Sequence, residues 1–143
     1  DDQFSAIGTF DSGALFTLHT SWLGQGHKMQ LGFEVAGTKG AIRFDQERMG
    51  EFQLFEQKDN SDMASNGFKT VLIGPYPPPF GNFCPAPGHH VGFNEMKTIE
   101  AGEFCRAILE GNEAHPNFDD GLVFEKALQA IQDASEARAW VTL

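Results

Sequence analysis

The chain has 143 residues, of which 41% are hydrophobic and 14 are Phe, enough apolar material for the core of one domain of ordinary size. A formal net charge of −10, with ten scattered Lys and Arg, argues against a nucleic-acid or anionic-membrane partner, both of which need a basic patch. No apolar run approaches the roughly 20 residues of a bilayer span, and no basic stretch followed by an apolar segment reads as a secretory signal.

The first residues, Asp1-Asp2-Gln3, lack an initiator Met, as expected of a processed product or a piece of a longer chain. Gln3 to Phe10 alternates in the manner of a strand, with Phe4, Ala6, Gly8 and Phe10 on one face. Asp11-Ser12-Gly13 is turn chemistry, and Ala14 to Trp22 returns as a second strand, giving an antiparallel hairpin. Leu23 to Lys28 is a flexible connection. Met29, Leu31, Phe33 and Val35 then fall on one face of a third strand. Gly37-Thr38-Lys39-Gly40 follows, with glycines where a hairpin can use positive φ, and Ala41 to Asp45 forms the fourth strand. Glu51 to Gln57 and Phe68 to Gly74 are the fifth and sixth, separated by a polar loop containing Asp59-Asn60-Ser61-Asp62.

Pattern and composition then change together. The segment from Pro75 to His90 holds six of the seven prolines and cannot be helix or inner strand, because proline fixes φ and has no amide donor. From Gly92 the period becomes helical, with Phe93, Met96, Phe104, Ala107 and Ile108 on one face and Gly111 as a C-terminal cap. Asn112 to Phe118 links to a second helix, capped by Asp119 or Asp120, with an apolar stripe of Val123, Ala127, Ala130, Ile131 and Ala134. Ala139 to Leu143 reads as a last short strand. The sum is an α+β domain: an open, mostly antiparallel sheet of six or more strands with two helices on one face. Two helices cover only one face of so wide a sheet. The other, mixed in polarity, suits another copy of the chain.

Few residues point to chemistry. His89-His90 stands where the Pro-rich loop meets the first helix, and imidazoles there can contact substrate, ligate a metal or move protons. Tyr76, with Phe80 and Phe83, either packs the loop onto the sheet or walls a pocket. His19 and His27 read as sheet-face and loop residues, and His115 as a turn residue. No third ligand accompanies the His pair, and the spacing of Cys84 and Cys105 fits no zinc motif, so no metal is expected. Both cysteines are expected to be free thiols in a reducing cytoplasm. Gly37-Thr38-Lys39-Gly40 joins two strands and so is not a phosphate loop. No G-x-G-x-x-G opens a helix, and there is no G-x-S-x-G.

The ordered segments F-D-S-G-A-L-F-T-L-H-T-S-W, V-A-G-T-K-G-A-I-R-F, I-G-P-Y, F-C-R-A-I-L-E-G, N-F-D-D-G and A-I-Q-D-A-S-E together resemble the C-terminal domain of the Gfo/Idh/MocA oxidoreductases, the relatives of glucose–fructose oxidoreductase and inositol dehydrogenase. The resemblance covers nearly the whole chain and rests on order and spacing, since no single segment is specific. It implies an NAD- or NADP-dependent parent acting on a sugar, polyol or related hydroxy compound. Residues 1–143 would then be its substrate-binding and dimerisation domain, with the Rossmann domain elsewhere. The family's E-K-P segment and D-x-x-x-H motif are absent; Ser5 and Ala6 stand where Asp1 and Asp2 would need His. No catalytic or cofactor-binding residue therefore carries over, and this piece alone is expected neither to bind NAD nor to catalyse. By position in the family's substrate region, Tyr76, His89, His90 and Asn94 are candidate substrate contacts. The alternative is a stand-alone or catalytically dead α+β oligomerisation module.

Overall fold

Alternation and turn chemistry place six strands within about three residues of where the structure has them. In the computed structural model of the chain, which describes residues 2–57, 64–74 and 76–143, six strands precede two helices in an α+β arrangement. They are β1 (Gln3–Thr9), β2 (Leu15–Ser21), β3 (Gly32–Gly37), β4 (Gly40–Asp45), β5 (Glu51–Glu56), β6 (Lys69–Leu72), α1 (Phe93–Glu110) and α2 (Phe118–Ala137). All strand pairs are antiparallel. The stretch Asp59-Asn60-Ser61-Asp62 and Pro75 lie outside the described residues.

The strands form two hydrogen-bonded sheets, a β1–β2 pair and a β3–β4–β5–β6 meander, where the sequence pointed to one. The split falls at the connection after Trp22, where Gly26 and Met29 both take positive φ, 94° and 76°. Met29 therefore leaves the extended conformation, and β3 starts at Gly32 rather than at Met29. The chain clusters into two compact units, Asp1–Gly26 with Ala107–Leu143, and His27–Arg106.

In the first unit, β1 and β2 run in register from Gln3 opposite Ser21 to Thr9 opposite Leu15. The predicted turn closes them: Gly13, at φ 83°, donates its amide to the Phe10 carbonyl at 2.8 Å. The Phe10 and Phe16 rings meet at a tilt of 47°, centroids 5.3 Å apart. Gly111, at φ 67°, ends α1 in a Schellman turn, its amide on the Ile108 carbonyl and that of Asn112 on Ala107. The cap of α2 is neither Asp119 nor Asp120 but Asn117. Its side chain accepts from Asp120 N at 2.9 Å, and the Asp120 carboxylate accepts from Asn117 N at 2.9 Å, a reciprocal capping box. Of the predicted stripe, Ala127, Ala130, Ile131 and Ala134 are half-buried, and Val123 is exposed. Arg138, at φ 52°, ends α2 in the left-handed conformation, and residues 139–143 are irregular, not a closing strand.

In the second unit the meander register sets Glu34, Arg43, Gln53 and Thr70 in one row across the four strands. Arg43 holds that row together. Its Nη2 is 2.6 Å from Glu34 Oε2, its Nη1 donates to Gln53 Oε1 at 3.3 Å, and its guanidinium lies 4.7 Å from the Phe68 ring centroid. The opposite face carries Phe33, Val35, Ile42, Phe44 and Leu54 by alternation, with Phe33 and Phe44 5.7 Å apart. Thr38-Lys39 makes the β3–β4 turn without any positive φ at Gly37 or Gly40. Gly40 is needed for another reason: a Cβ there would stand 2.3 Å from the Phe55 carbonyl oxygen of β5.

The α2 cap makes a pH prediction. The Asp120 carboxyl is held below its ordinary value, first by the Asn117 backbone N–H and then by the His115 ring, whose Nδ1 is 3.2 Å from Asp120 Oδ2. Because folding depresses this pKa, the stabilisation is complete above the ordinary carboxylate range and lost as pH falls through the folded value. Thermal melts from neutral to acid pH should show Asp120→Asn losing less stability than the parent chain; parallel losses would uncouple the cap from folding.

Candidate functional site

The segment leading into α1 folds by closing on itself. Residues Phe80–Asn82 form one 3-10 turn, and Phe83 N donates to the Phe80 carbonyl at 3.0 Å. Gly81 lets the Tyr76 carbonyl pass where a side chain would stand, since its Cβ position lies 1.7 Å from that oxygen. Ala86-Pro87-Gly88-His89 is a type II turn, with His89 N on the Ala86 carbonyl at 3.1 Å and Gly88 at φ 85°. Cys84, with no exposed surface, donates its thiol to the His89 carbonyl and is the one fully buried side chain among the described residues.

The loop then enters α1 through Gly92. The Met96 amide reaches the Gly92 carbonyl at 3.1 Å, while Glu95 Oε2 accepts from Gly92 N at 3.0 Å. Asn94 stands exposed in the first turn, its carbonyl accepting from Thr98 Oγ1 at 3.0 Å. His89 and His90 are exposed, and Tyr76 is 43% exposed. His90 leans on the backbone of the meander: a Cβ on Gly50 would meet His90 Nδ1 at 2.8 Å. Thus His89, His90 and Asn94 follow one another along a single loop–helix junction. Among the described residues no hydrogen bond or ring contact joins Tyr76 to the other three.

Gly50 lies between Arg48 and Glu51, which are paired at 2.5 Å and line a cavity of about 280 Å³ with Arg43, Asp45, Gln53 and Thr70. The Glu51 carboxylate, by hydrogen bond and charge, raises the Arg48 pKa above its already high ordinary value. The first unit holds a hydroxyl–imidazole pair, Ser5 Oγ to His19 Nδ1 at 2.8 Å, which is a cross-strand partnership on an exposed face.

No group of three His, Cys, Asp or Glu that could hold a metal is present among the described residues. Among the described residues every strand pair is antiparallel, so they contain no parallel βαβ crevice of the Rossmann kind. The sequence singled out the loop and its histidines and read Cys84 as a free thiol, but it gave no sign of Gly50 or of the burial of Cys84. Pro87-Gly88 signalled the turn that brings Cys84 to His89; nothing local signalled Gly50. Cys84 and Cys105 are both free thiols. No helix is long and apolar enough to cross a membrane among the described residues.

The comparisons agree with this architecture. A family model described as the GFO/IDH/MocA C-terminal domain matches residues 1–43. Levoglucosan dehydrogenase of Pseudarthrobacter phenanthrenivorans is 33% identical over 141 residues, covering 99% of this chain and 36% of that protein. A solved levoglucosan dehydrogenase in complex with NADH and levoglucosan superposes at TM-score 0.89 with 32% identity, over 99% of this chain and 38% of the other. A crystal structure of an NAD binding oxidoreductase from Klebsiella pneumoniae gives 0.87 and 31%, with coverages of 99% and 38%. The chain thus spans less than two fifths of the length of these relatives.

Exposed Cys105 should react with a thiol reagent in the native chain, and Cys84 only after unfolding. Gly81→Ala, by forcing the Tyr76 carbonyl aside, should make Cys84 reactive without denaturant; protection as complete as in the parent chain would show that the loop closes without that approach.

Proposed function

We infer that this chain is the C-terminal, substrate-binding and self-association domain of an NAD-dependent sugar dehydrogenase of the Gfo/Idh/MocA type. The observation that carries the reading is identity of 32% and TM-score 0.89, over 99% of the chain, with a levoglucosan dehydrogenase solved with NADH and levoglucosan. A second structure of such an enzyme holds NADH and L-sorbose. Residues 1–143 belong to this substrate-binding and dimerisation domain, and the cofactor is held by a Rossmann domain elsewhere in the parent protein. The substrate class is an anhydrosugar, hexose or related polyol.

In such a protein NAD accepts hydride from the carbon bearing the oxidised hydroxyl. The work of this domain is to bind and orient the sugar. His89, His90 and Asn94, exposed at one junction, offer ring and amide groups that donate to and accept from sugar hydroxyls, and Tyr76 adds a phenol and an aromatic face. The protein acts in the cytoplasm, where NAD is available. The test uses the full-length protein that carries this domain: NADH formation is followed with levoglucosan, hexoses and inositol. His90→Ala should lower kcat/KM for the preferred sugar by about tenfold or more. An unchanged value removes His90 from the site, and no NADH from any of these sugars removes the dehydrogenase reading.

Self-association runs through the meander face that carries Glu34, Arg43, Gln53 and Thr70. A two-fold axis over that face sets the acid–base pairs of each copy against those of the other, which makes the surface complementary to itself. Light scattering should show a dimer that weakens with salt and with Arg43→Glu. A strict monomer at high micromolar concentration would overturn this contact.

A further inference from the structure

We propose that Gly50 is a positioning residue for sugar binding, a backbone seat that fixes the His90 imidazole. This rests on the reading that His90 contacts the sugar, and it adds a residue that no local pattern marks. A Cβ at Gly50 would lie 2.8 Å from His90 Nδ1, 3.1 Å from Cε1 and 3.3 Å from Cγ, so the ring lies against the position that only a glycine leaves open. The seat itself is held. The Gly50 carbonyl accepts from Ile73 N at 2.9 Å, one step past the end of β6, and Gly50 directly precedes β5. The peptide under the ring is therefore tied to two strands of the meander.

The chain on either side of His90 is held as well. Before it, the buried Cys84 thiol donates to the carbonyl of His89. After it, Gly92 opens α1 with its amide on Glu95 Oε2 and its carbonyl on Met96 N. An exposed imidazole would otherwise sample several rotamers, and each lost rotamer must be repaid from binding energy. Seated on Gly50, the ring is presented in one orientation before the sugar arrives. The seat also lies between Arg48 and Glu51, whose ion pair lines the neighbouring cavity. A side chain at position 50 would push the ring, the movable partner, away from the strand.

The test compares Gly50→Ala, His90→Ala, the double variant and Gly102→Ala in the full-length protein. Gly102 is a control because a Cβ there meets nothing within 4 Å. Gly50→Ala should raise KM for the sugar by about five- to tenfold with kcat within about twofold of the parent. The double variant should match His90→Ala alone, because the two residues act as one unit. The ring NMR signals of His90, identified by their loss in His90→Ala, should move in Gly50→Ala and stay in Gly102→Ala. If His90→Ala raises KM while Gly50→Ala behaves like Gly102→Ala, the seat is overturned and the sugar contact stands. If neither raises KM, the sugar contact falls and the proposal with it. Should Gly50→Ala fold poorly, adding His90→Ala should restore its Tm by removing the clash; no restoration overturns the proposal.

Discussion

The register of the β3–β6 meander is the constraint on which the second unit depends. A slip by one residue would carry Glu34, Arg43, Gln53 and Thr70 to the face now occupied by Phe33, Val35, Ile42 and Leu54. Two features pin it. Thr38-Lys39 sets Gly37 opposite Gly40, and the close approach of the Phe55 carbonyl to Gly40 admits no side chain there. The same ladder carries Gly50 to the start of β5 and joins it to Ile73, so the seat of His90 is a product of sheet pairing.

Polar and apolar surfaces are divided with a purpose. The Arg43 row is charged, paired and exposed, a surface that tolerates water and, under the function proposed, would meet its own copy through complementary charge. Elsewhere large apolar side chains stand open: Trp22 is 90% exposed, Phe118 99% and Trp140 72%. Surfaces of that kind call for a protein neighbour. A cofactor domain and a second copy would supply such neighbours under the function proposed.

Under the function proposed, histidines 89 and 90 are placed by parts that do no chemistry. Cys84 is a buried thiol whose place in the loop is structural, and Gly50 and Gly81 matter for the space they leave. Neither glycine would attract notice as a catalytic type. Their effect is to reduce the freedom of exposed groups, which under the function proposed would conserve binding energy for the sugar.

What the amino-acid order determined by itself was local. Alternation marked β1 to β6, the helical period marked α1 and α2, and Asp11-Ser12-Gly13 and Gly111 punctuated them as expected, because turn and cap preferences act over three or four residues. The family resemblance was also legible, through the order of six segments. Tertiary structure decided the rest. It divided the strands into two sheets at Gly26 and Met29, and capped α2 with Asn117 through a reciprocal bond to Asp120. It left residues 139–143 without a strand to pair with. It gave Gly40 and Gly50 their roles through contacts with Phe55 and His90, residues 15 and 40 positions away. Such contacts join segments whose meeting depends on sheet pairing and loop closure, and no local pattern records them.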